Sequence, residues 1–362
     1  MASSGKKHHM VYDFVLEYIS KNNLVPGNKL PTEMEISELL KVSRTTVQRS
    51  FRELVDKKVA YRVQGGGTYL ANQPQNIKRD INFIPIVMSN QQKHTGCYHY
   101  VTGAEKFLSS HSCYLAVRCS NTDFELEKDI INSLVHDGNR SIMILSSEST
   151  PKLSFYHDHM KRGVNFTFID RLPMGLMSDL VGSDNITAGF LACEHLINLG
   201  HRRICYLCGD INSISTIRER FEGYRSAINL YGLSYGKECF IFPCLNDNAI
   251  KESIINLFTS PIPPTAIIAS SDSLAAMCIM SLTELGIDVP GKISVVGFDG
   301  AEISSGFKPS ITTIEQSFFD IGFHAAELAY NRICTATPDP IYTHRSLPVR
   351  LVINETTAPP CK

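Results

Sequence analysis

The sequence predicts an α/β protein in which a short helical head precedes a body of two parallel-sheet lobes. From residue 81 onward, short apolar runs such as SIMILSS and KISVVGFD alternate with amphipathic helical stretches. Continuous apolar runs are typical of strands buried on both faces, and such strands are parallel and lie between helices. About ten strand–helix units exceed one compact doubly wound domain, so the pattern favours two lobes with a ligand cleft between them.

The charge of the chain is balanced overall but uneven along it. The 362 residues carry a formal net charge of −1, which excludes a generally basic nucleic-acid coat protein. Residues 1–75 hold 11 lysines and arginines against 7 aspartates and glutamates. This mildly basic segment suits contact with phosphate.

Targeting and redox signals point to the cytoplasm. No stretch approaches the roughly 18 apolar residues of a membrane span, and the N-terminus has no apolar signal-peptide core. The 11 cysteines are an odd number without framework spacing, which fits a reducing compartment. We expect a cytoplasmic protein that does not contact a membrane.

Residues 10–70 predict three helices and a hairpin. Val11, Val15 and Ile19 recur at helical spacing. A third helix begins after Ser43, a good N-cap residue. The stretch VAYRVQGGGTYLA alternates around a glycine run, as a hairpin does.

The outer face of the third helix carries hydrogen-bond donors, because its apolar residues face inward. Donors of these types suit phosphates and base edges, and the hairpin glycines allow close approach of the backbone to DNA. A small helical bundle with a solvated polar face is the alternative. The candidate DNA-contacting residues are Arg44, Thr45, Thr46, Gln48 and Arg49 on the helix, and Gln64, Gly65 and Gly66 in the hairpin.

The order of motifs in this head resembles the DNA-binding domain of the GntR family, a winged helix-turn-helix. The matching segments are Pro26-Gly27, KLPTEMEIS, VSRTTVQRSFREL and RVQGGGTYL. The resemblance implies that Arg44, Thr45, Thr46 and Gln48 face the major groove and that Gly65 and Gly66 meet the minor groove. Met34 and Gln48 depart from some relatives, so the operator sequence does not carry over.

The body resembles the effector domain of the LacI/GalR family, which is built like the periplasmic sugar-binding proteins. The matching segments are FIDR (168–171), SDN (183–185), HLINLGHRRI (195–204), RERFEGY (218–224), SVVGFDG (294–300) and ITTIEQSFFDIG (311–322). Asp170 and Asp299 each follow an apolar run, where open α/β sheets place ligands. Carboxylates and arginines hold polyols through charge-assisted hydrogen bonds.

The resemblance implies a set of effector-binding residues in the cleft. Ser271 departs from the family, which usually has asparagine there, and Tyr98 is proposed because it follows the first strand. Each candidate has a structural alternative: Asp170 as a cap or a partner of Arg171, and Phe318 as core. Asp184 and Asn185 favour a helix cap over ligand contact. The candidate effector-binding residues are Tyr98, Asp170, Arg220, Ser271, Asp299, Gln316 and Phe318.

No metal or cofactor site is predicted. Cys205 and Cys208 have the spacing of a metal knuckle, but no second pair exists, and both lie in an apolar strand as small buried side chains. The glycines at 65–67 do not open a helix after a strand, and no phosphate loop or nucleophile elbow occurs.

The sequence therefore predicts an effector-responsive repressor, with a winged helix-turn-helix domain at 1–70, a linker at 71–80 and an effector-binding and dimerisation domain at 81–362. This pairing resembles the arabinose-repressor type of regulator. The expected partners are double-stranded operator DNA, a second copy in a homodimer, and a monosaccharide such as a pentose that closes the lobes.

Three alternatives stay open at this point. The chain could be a cytoplasmic sugar-binding module, or an activator rather than a repressor of a carbohydrate operon. An enzyme, such as an aminotransferase fused to this type of head, needs a Schiff-base lysine. The only lysines in 240–300 are Lys251 and Lys292, and neither is placed at a strand end facing the cleft, so we expect no enzymatic activity.

Overall fold

A computed structural model of the chain divides it into two compact units, a head (Met1–Ile81) and a body (Asn82–Lys362). Most of the predicted linker, together with Pro26, Gln64 and Gly65, lies outside the described residues. The structure describes residues 4–22, 24, 27–56, 59–63, 66–71, 83–89, 96–146, 153–209, 211, 214–233, 240–241, 247–259, 261–300, 308–334 and 341–361.

The head contains the three predicted helices and the hairpin. Thr32 caps α2 in a capping box with Glu35, since each side chain bonds the other's backbone N–H. Val47, Phe51 and Leu54 of α3 are fully buried against α1 and α2. The elements are α1 (Ser4–Lys21), α2 (Glu33–Leu40), α3 (Arg44–Asp56), and the antiparallel strands β1 (Ala60–Val63) and β2 (Gly67–Leu70).

The first lobe of the body is assembled from two separate parts of the chain. Its strands form a six-stranded parallel sheet in the order β13-β7-β6-β5-β3-β4. The elements are β3 (Phe83–Met88), α4 (Cys97–Ser109), β4 (Tyr114–Cys119), α5 (Phe124–His136), β5 (Ser141–Leu145), α6 (Leu153–Met160), β6 (Asn165–Ile169), β7 (Asp179–Ser183), and later α11 (Phe318–Cys334) and β13 (His344–Leu347).

The second lobe repeats this plan. Its sheet has the order β14-β12-β11-β10-β8-β9, with β14 antiparallel to β12 and the other pairs parallel. The elements are α7 (Asn185–Asn198), β8 (Ile204–Cys208), α8 (Ser215–Leu230), β9 (Phe240–Ile241), α9 (Asp247–Phe258), β10 (Ala266–Ala269), α10 (Asp272–Glu284), β11 (Ser294–Asp299), β12 (Thr312–Glu315) and β14 (Arg350–Val352).

The described chain passes between the lobes at three places: from β7 to α7, from β12 to α11, and from β13 to β14. The helix α11 therefore packs in the first lobe although it follows a strand of the second. This return is fixed by an ion pair in which the half-buried Arg332 donates two 2.7 Å hydrogen bonds to the buried Asp179 on β7. These three connections, called the crossing segments below, link the two lobes.

Each lobe contains a close helix crossing that depends on glycine. A Cβ on Gly189 of α7 would overlap the carbonyl oxygen of Arg220, and one on Gly223 of α8 would overlap that of Ile186. In the first lobe, Gly103 of α4 and Gly322 of α11 have the same relationship to the facing backbone. The missing side chains let each helix pair approach at backbone distance.

Candidate functional site

The head presents the predicted donors on the exposed side of α3. Arg44, Thr45, Gln48 and Arg49 are exposed, and Thr46 is half-buried. The Ser43 hydroxyl accepts a 3.3 Å hydrogen bond from the Thr46 N–H, as an N-cap does. The first turn of α3 lies at the surface, because Arg44 and Thr45 are exposed. The N-terminus of a helix favours the binding of an anion such as a phosphate.

The hairpin is fixed to the helical part of the head. Arg62 of β1 pairs with Glu33 at the start of α2, and the turn is closed by a 2.9 Å bond from the Gly66 N–H to the Val63 carbonyl. Arg44 lies 2.9 Å from the Met34 sulfur. Met34 is 51% exposed, so its side chain lies at the surface of the head beside Arg44.

In the body, Asp170 and Asp299 both adopt left-handed backbone conformations, with φ of 67° and 115°. Positive φ is strained for a residue with a side chain, and such strain is concentrated at functional sites. Asp170 directly follows β6 and Asp299 ends β11. The two carboxylates therefore stand at the carboxyl ends of one strand from each lobe.

Arg220 organises the second-lobe side of this cleft. It is 5% exposed and donates to the Asn185 side chain at 2.8 Å, the Ser270 carbonyl at 2.7 Å and the Asp299 carboxylate at 3.4 Å. Its guanidinium also lies 5.0 Å from the centre of the Phe298 ring. A buried guanidinium held this way has one fixed geometry.

Gln316 connects the same carboxylate to the crossing segments. Its side-chain amide donates to Asp299 at 2.7 Å, and its side-chain carbonyl accepts from the Ser183 hydroxyl at 2.6 Å. Ser183 ends β7, and Asn185, which binds Arg220, begins α7. The hydrogen bonds therefore form a chain from Arg220 and Asp299 to two of the three segments that join the lobes.

Burial changes the titration of this group of side chains. It raises the pKa of Asp299 to about 6, although Arg220 opposes the shift, and Asp170 adds to it. Burial also raises the pKa of Glu219 and of Tyr100, and the charge of Asp170 contributes to both shifts. The charge of Asp170 in the first lobe thus opposes ionisation of Asp299 and Glu219 in the second lobe.

The remaining predicted cleft residues lie outside this hydrogen-bond chain. The Ser271 hydroxyl caps α10 by accepting from the Leu274 N–H at 3.2 Å. The Phe318 ring packs edge-on against Tyr100 at 5.3 Å and covers Gly96. Tyr98 is 72% exposed, with its ring edge-on to His99.

The two polar residues that follow β7 have different roles, and the sequence predicts only one of them. Asp184 caps α7 as predicted, accepting from the Thr187 N–H at 3.0 Å, but Asn185 does not cap the helix. Its amide instead bonds both Arg220 and Glu219. The SDN motif contained the signal, because two polar residues after a strand mark the sheet edge where ligands bind.

The described residues contain no group of three or more histidine, cysteine, aspartate or glutamate side chains arranged to hold a metal ion. Cys205 and Cys208 are buried in β8, which confirms their interpretation as small core side chains. No helix among the described residues has the length and apolar character needed to cross a bilayer.

Two family models match the chain. Residues 7–70 match bacterial regulatory proteins of the gntR family, and residues 193–357 match the periplasmic binding protein-like domain. The arabinose metabolism transcriptional repressor of Geobacillus stearothermophilus is 26% identical over 351 residues, which cover 94% of this chain and 95% of that protein. The HTH-type transcriptional regulator GalR of Escherichia coli is 32% identical over 170 residues, 47% of this chain and 49% of GalR.

Solved structures agree on the fold. A LacI family transcriptional regulator from Enterococcus faecium with bound ribose has a TM-score of 0.64 and 24% identity, covering 76% of this chain and 99% of that one. A CelR–cellobiose complex has a TM-score of 0.66 and 21% identity, covering 90% and 99%. The chain is a DNA-binding transcriptional regulator that joins a GntR-family winged-helix head to a LacI-type, periplasmic-binding-protein-like body.

Proposed function

We propose that this regulator is a cytoplasmic repressor whose affinity for operator DNA is switched by a small sugar bound between the lobes of its body. The observation that carries the proposal is the pair formed by the buried Arg220 and the half-buried Asp299, which hydrogen bonds connect to the segments that cross between the lobes. The names of similar proteins support a sugar effector, since they include arabinose repressors and regulators with bound ribose or cellobiose.

The cleft chemistry suits a polyol. Asp170 and Asp299 offer carboxylate oxygens from opposite lobes, and vicinal hydroxyls bind such acceptors through charge-assisted hydrogen bonds. A ligand that bonds both carboxylates is bound more tightly by the closed form than by the open form. Its binding therefore shifts the population of lobe arrangements.

On the DNA side, we propose that the chain acts as a homodimer. A symmetric dimer presents two copies of α3 to two operator half-sites. Arg44, Thr45, Thr46, Gln48 and Arg49 are proposed to contact the major groove, and Gln64, Gly65 and Gly66 the minor groove. Effector-induced closure would change the spacing of the two heads and release the operator, with a coupling of about 1–3 kcal/mol.

A gel-shift titration tests the proposal. The full-length protein is bound to DNA from upstream of its own operon, and L-arabinose, D-ribose or cellobiose is added over a range of concentrations. At least one sugar is expected to change operator affinity about 5- to 150-fold. If DNA affinity stays constant with every sugar, the regulatory half of the proposal is wrong.

Replacing Arg44 by alanine is expected to weaken operator binding about 10- to 100-fold, because an arginine contact to a base edge is worth about 1–3 kcal/mol. The exposed Lys21 on α1 provides a control, since Lys21→Ala removes one positive charge from the head without altering α3. Fluorescence anisotropy with operator and scrambled DNA measures both variants. Equal weakening by the two substitutions would mean that Arg44 acts only through net charge.

Sugar affinity is expected to fall as the pH drops through about 6, where Asp299 takes up a proton. Protonation converts the charged acceptor into a neutral acid, so affinity at pH 5 should be about 10-fold lower than at pH 7.5.

Protonation of Asp299 has the opposite effect on the stability of the fold, which it increases. The folded pKa lies above the ordinary 3.8, so ionised Asp299 destabilises the fold at neutral pH. This cost begins to fall as the pH drops through about 6, and it is gone only below the ordinary pKa of 3.8.

Calorimetric titration across this pH range measures the effect on affinity, with Asp299→Asn as the comparison. This variant cannot titrate at position 299, so its weaker affinity should be flat between pH 5 and 7.5. A slope that survives in Asp299→Asn would assign the pH dependence to another group.

A further inference from the structure

We propose that Ser146, at the end of β5, is a further effector-binding residue that determines specificity by hydrogen bonding one hydroxyl group of the sugar. The inference rests on the proposed function, because it assigns a contact within the same cleft. It concerns a residue that neither the sequence motifs nor the chain of hydrogen bonds around Arg220 includes.

Ser146 and Asp170 follow adjacent strands at the same edge of the first-lobe sheet. In the first lobe, Met88 pairs with Leu145 and Ile144 pairs with Phe168. Extending the first pair by one residue sets Ser89 beside Ser146, and Asp170 directly follows β6, the strand that pairs with β5. Ser146 and Asp170 therefore follow adjacent parallel strands at the same edge of the sheet, where open α/β folds bind ligands.

Ser89, Ser120 and Ser146 each directly follow a strand of the first-lobe sheet, and their hydroxyls differ in their hydrogen-bond partners. Ser120, after β4, donates to the Met88 carbonyl at 3.3 Å, and Ser89 accepts from Arg171 at 3.3 Å. The backbone carbonyl of Ser146 also accepts from Arg171, at 3.1 Å. Its side-chain hydroxyl, however, is buried and has no hydrogen-bond partner among the described residues.

A buried hydroxyl without a partner is costly and rare, so its position needs an explanation. Ser146 is 2% exposed and stands at the sheet edge where open α/β folds bind ligands. It directly follows the apolar residues 142–145 of β5. This position suits a hydrogen bond between the Ser146 hydroxyl and a hydroxyl of the sugar. Such a bond would offset the free-energy cost of the unpaired hydroxyl when the sugar binds.

Thr167 supplies a matched control within the same sheet. Its hydroxyl is also fully buried and without a partner among the described residues. It lies inside β6, however, and not at the strand end. If orphan hydroxyls merely reflect imperfect packing, substitutions at Ser146 and Thr167 should behave alike.

The test uses calorimetric titration of full-length Ser146→Ala and Thr167→Val with L-arabinose, D-ribose and cellobiose, alongside thermal melts without sugar. Ser146→Ala is expected to weaken binding of the recognised sugar about 3- to 10-fold, the value of one neutral hydrogen bond. Its melting temperature should not fall, because the lost hydroxyl had no partner. Thr167→Val should bind with wild-type affinity. Ser146→Cys, which keeps the size of the side chain, should also bind weakly.

Monodeoxy analogues of the recognised sugar identify the contact. One analogue should bind equally well to the wild type and to Ser146→Ala, because the hydroxyl that Ser146 contacts is already absent. Wild-type affinity in Ser146→Ala would overturn the inference and leave the proposed function intact. Wild-type protein that binds none of the three sugars would overturn the proposed sugar effector, and this inference with it.

Discussion

Replacing Arg220 by methionine is expected to abolish the sugar response. Operator binding in the absence of sugar should stay unchanged. Truncating one member of a buried, hydrogen-bonded charge pair costs about 2–5 kcal/mol, which corresponds to a loss of effector affinity of roughly 30-fold or more. Arg220 fixes the Asp299 carboxylate and the Asn185 amide at the same time. Methionine keeps the apolar stem but orients neither group.

The same substitution is expected to destabilise the body by about 3–5 kcal/mol, because it leaves Asp299 buried without its cation. Asp299→Asn in the same chain should restore part of this stability, since an amide has no charge to neutralise. It should not restore the sugar response. Chemical denaturation of the single and double variants measures this coupling.

Arg225→Met is the control for these measurements. Arg225 lies on the same helix as Arg220, is 49% exposed and pairs with Glu222, so its loss should change stability by less than about 1 kcal/mol. Arg220→Met protein that still releases the operator at wild-type sugar concentrations would show that Arg220 is only a structural residue.

The parallel strands at the centre of each lobe could be predicted because they are continuous apolar runs. The predicted runs SIMILSS and KISVVGFD contain β5 and β11. The short strands β7, β13 and β14 could not be found this way. Their sequences DLVGS, HRSL and RLV carry polar residues, and β13 and β14 are edge strands whose partners are set by the returning chain.

The cleft could be predicted only in part, for a similar reason. Asp170 and Asp299 follow apolar strands, so local sequence marks them. The contacts that orient them join distant residues: Ser183 to Gln316 and Asn185 to Arg220. No local pattern encodes a contact across 133 residues. Because the crossing segments were not predicted, neither was the hydrogen-bond chain that meets them.

The position of Arg220 itself depends on a helix crossing, and Gly189→Ala is expected to disturb it. Within an isolated helix this change would stabilise α7 by about 1 kcal/mol, because alanine is the better helix former. In the folded body, the added methyl group would overlap the backbone carbonyl of Arg220. Backbone cannot rotate away as a side chain does, so α7 and α8 must separate, at a cost of about 3 kcal/mol.

Gly189→Ala is expected to change both the stability of the body and its affinity for sugar. Separation of α7 from α8 moves Arg220 away from Asp299, so Gly189→Ala should lower both the melting temperature and the sugar affinity. Gly286→Ala provides the comparison: Gly286 has φ of 71°, and a Cβ added there would meet no atom within 4 Å. Alanine at this position should therefore cost only about 1 kcal/mol and leave sugar affinity unchanged. A Gly189→Ala protein that is more stable than wild type would mean that helix propensity outweighs the close crossing, and that Arg220 is positioned by its hydrogen bonds alone.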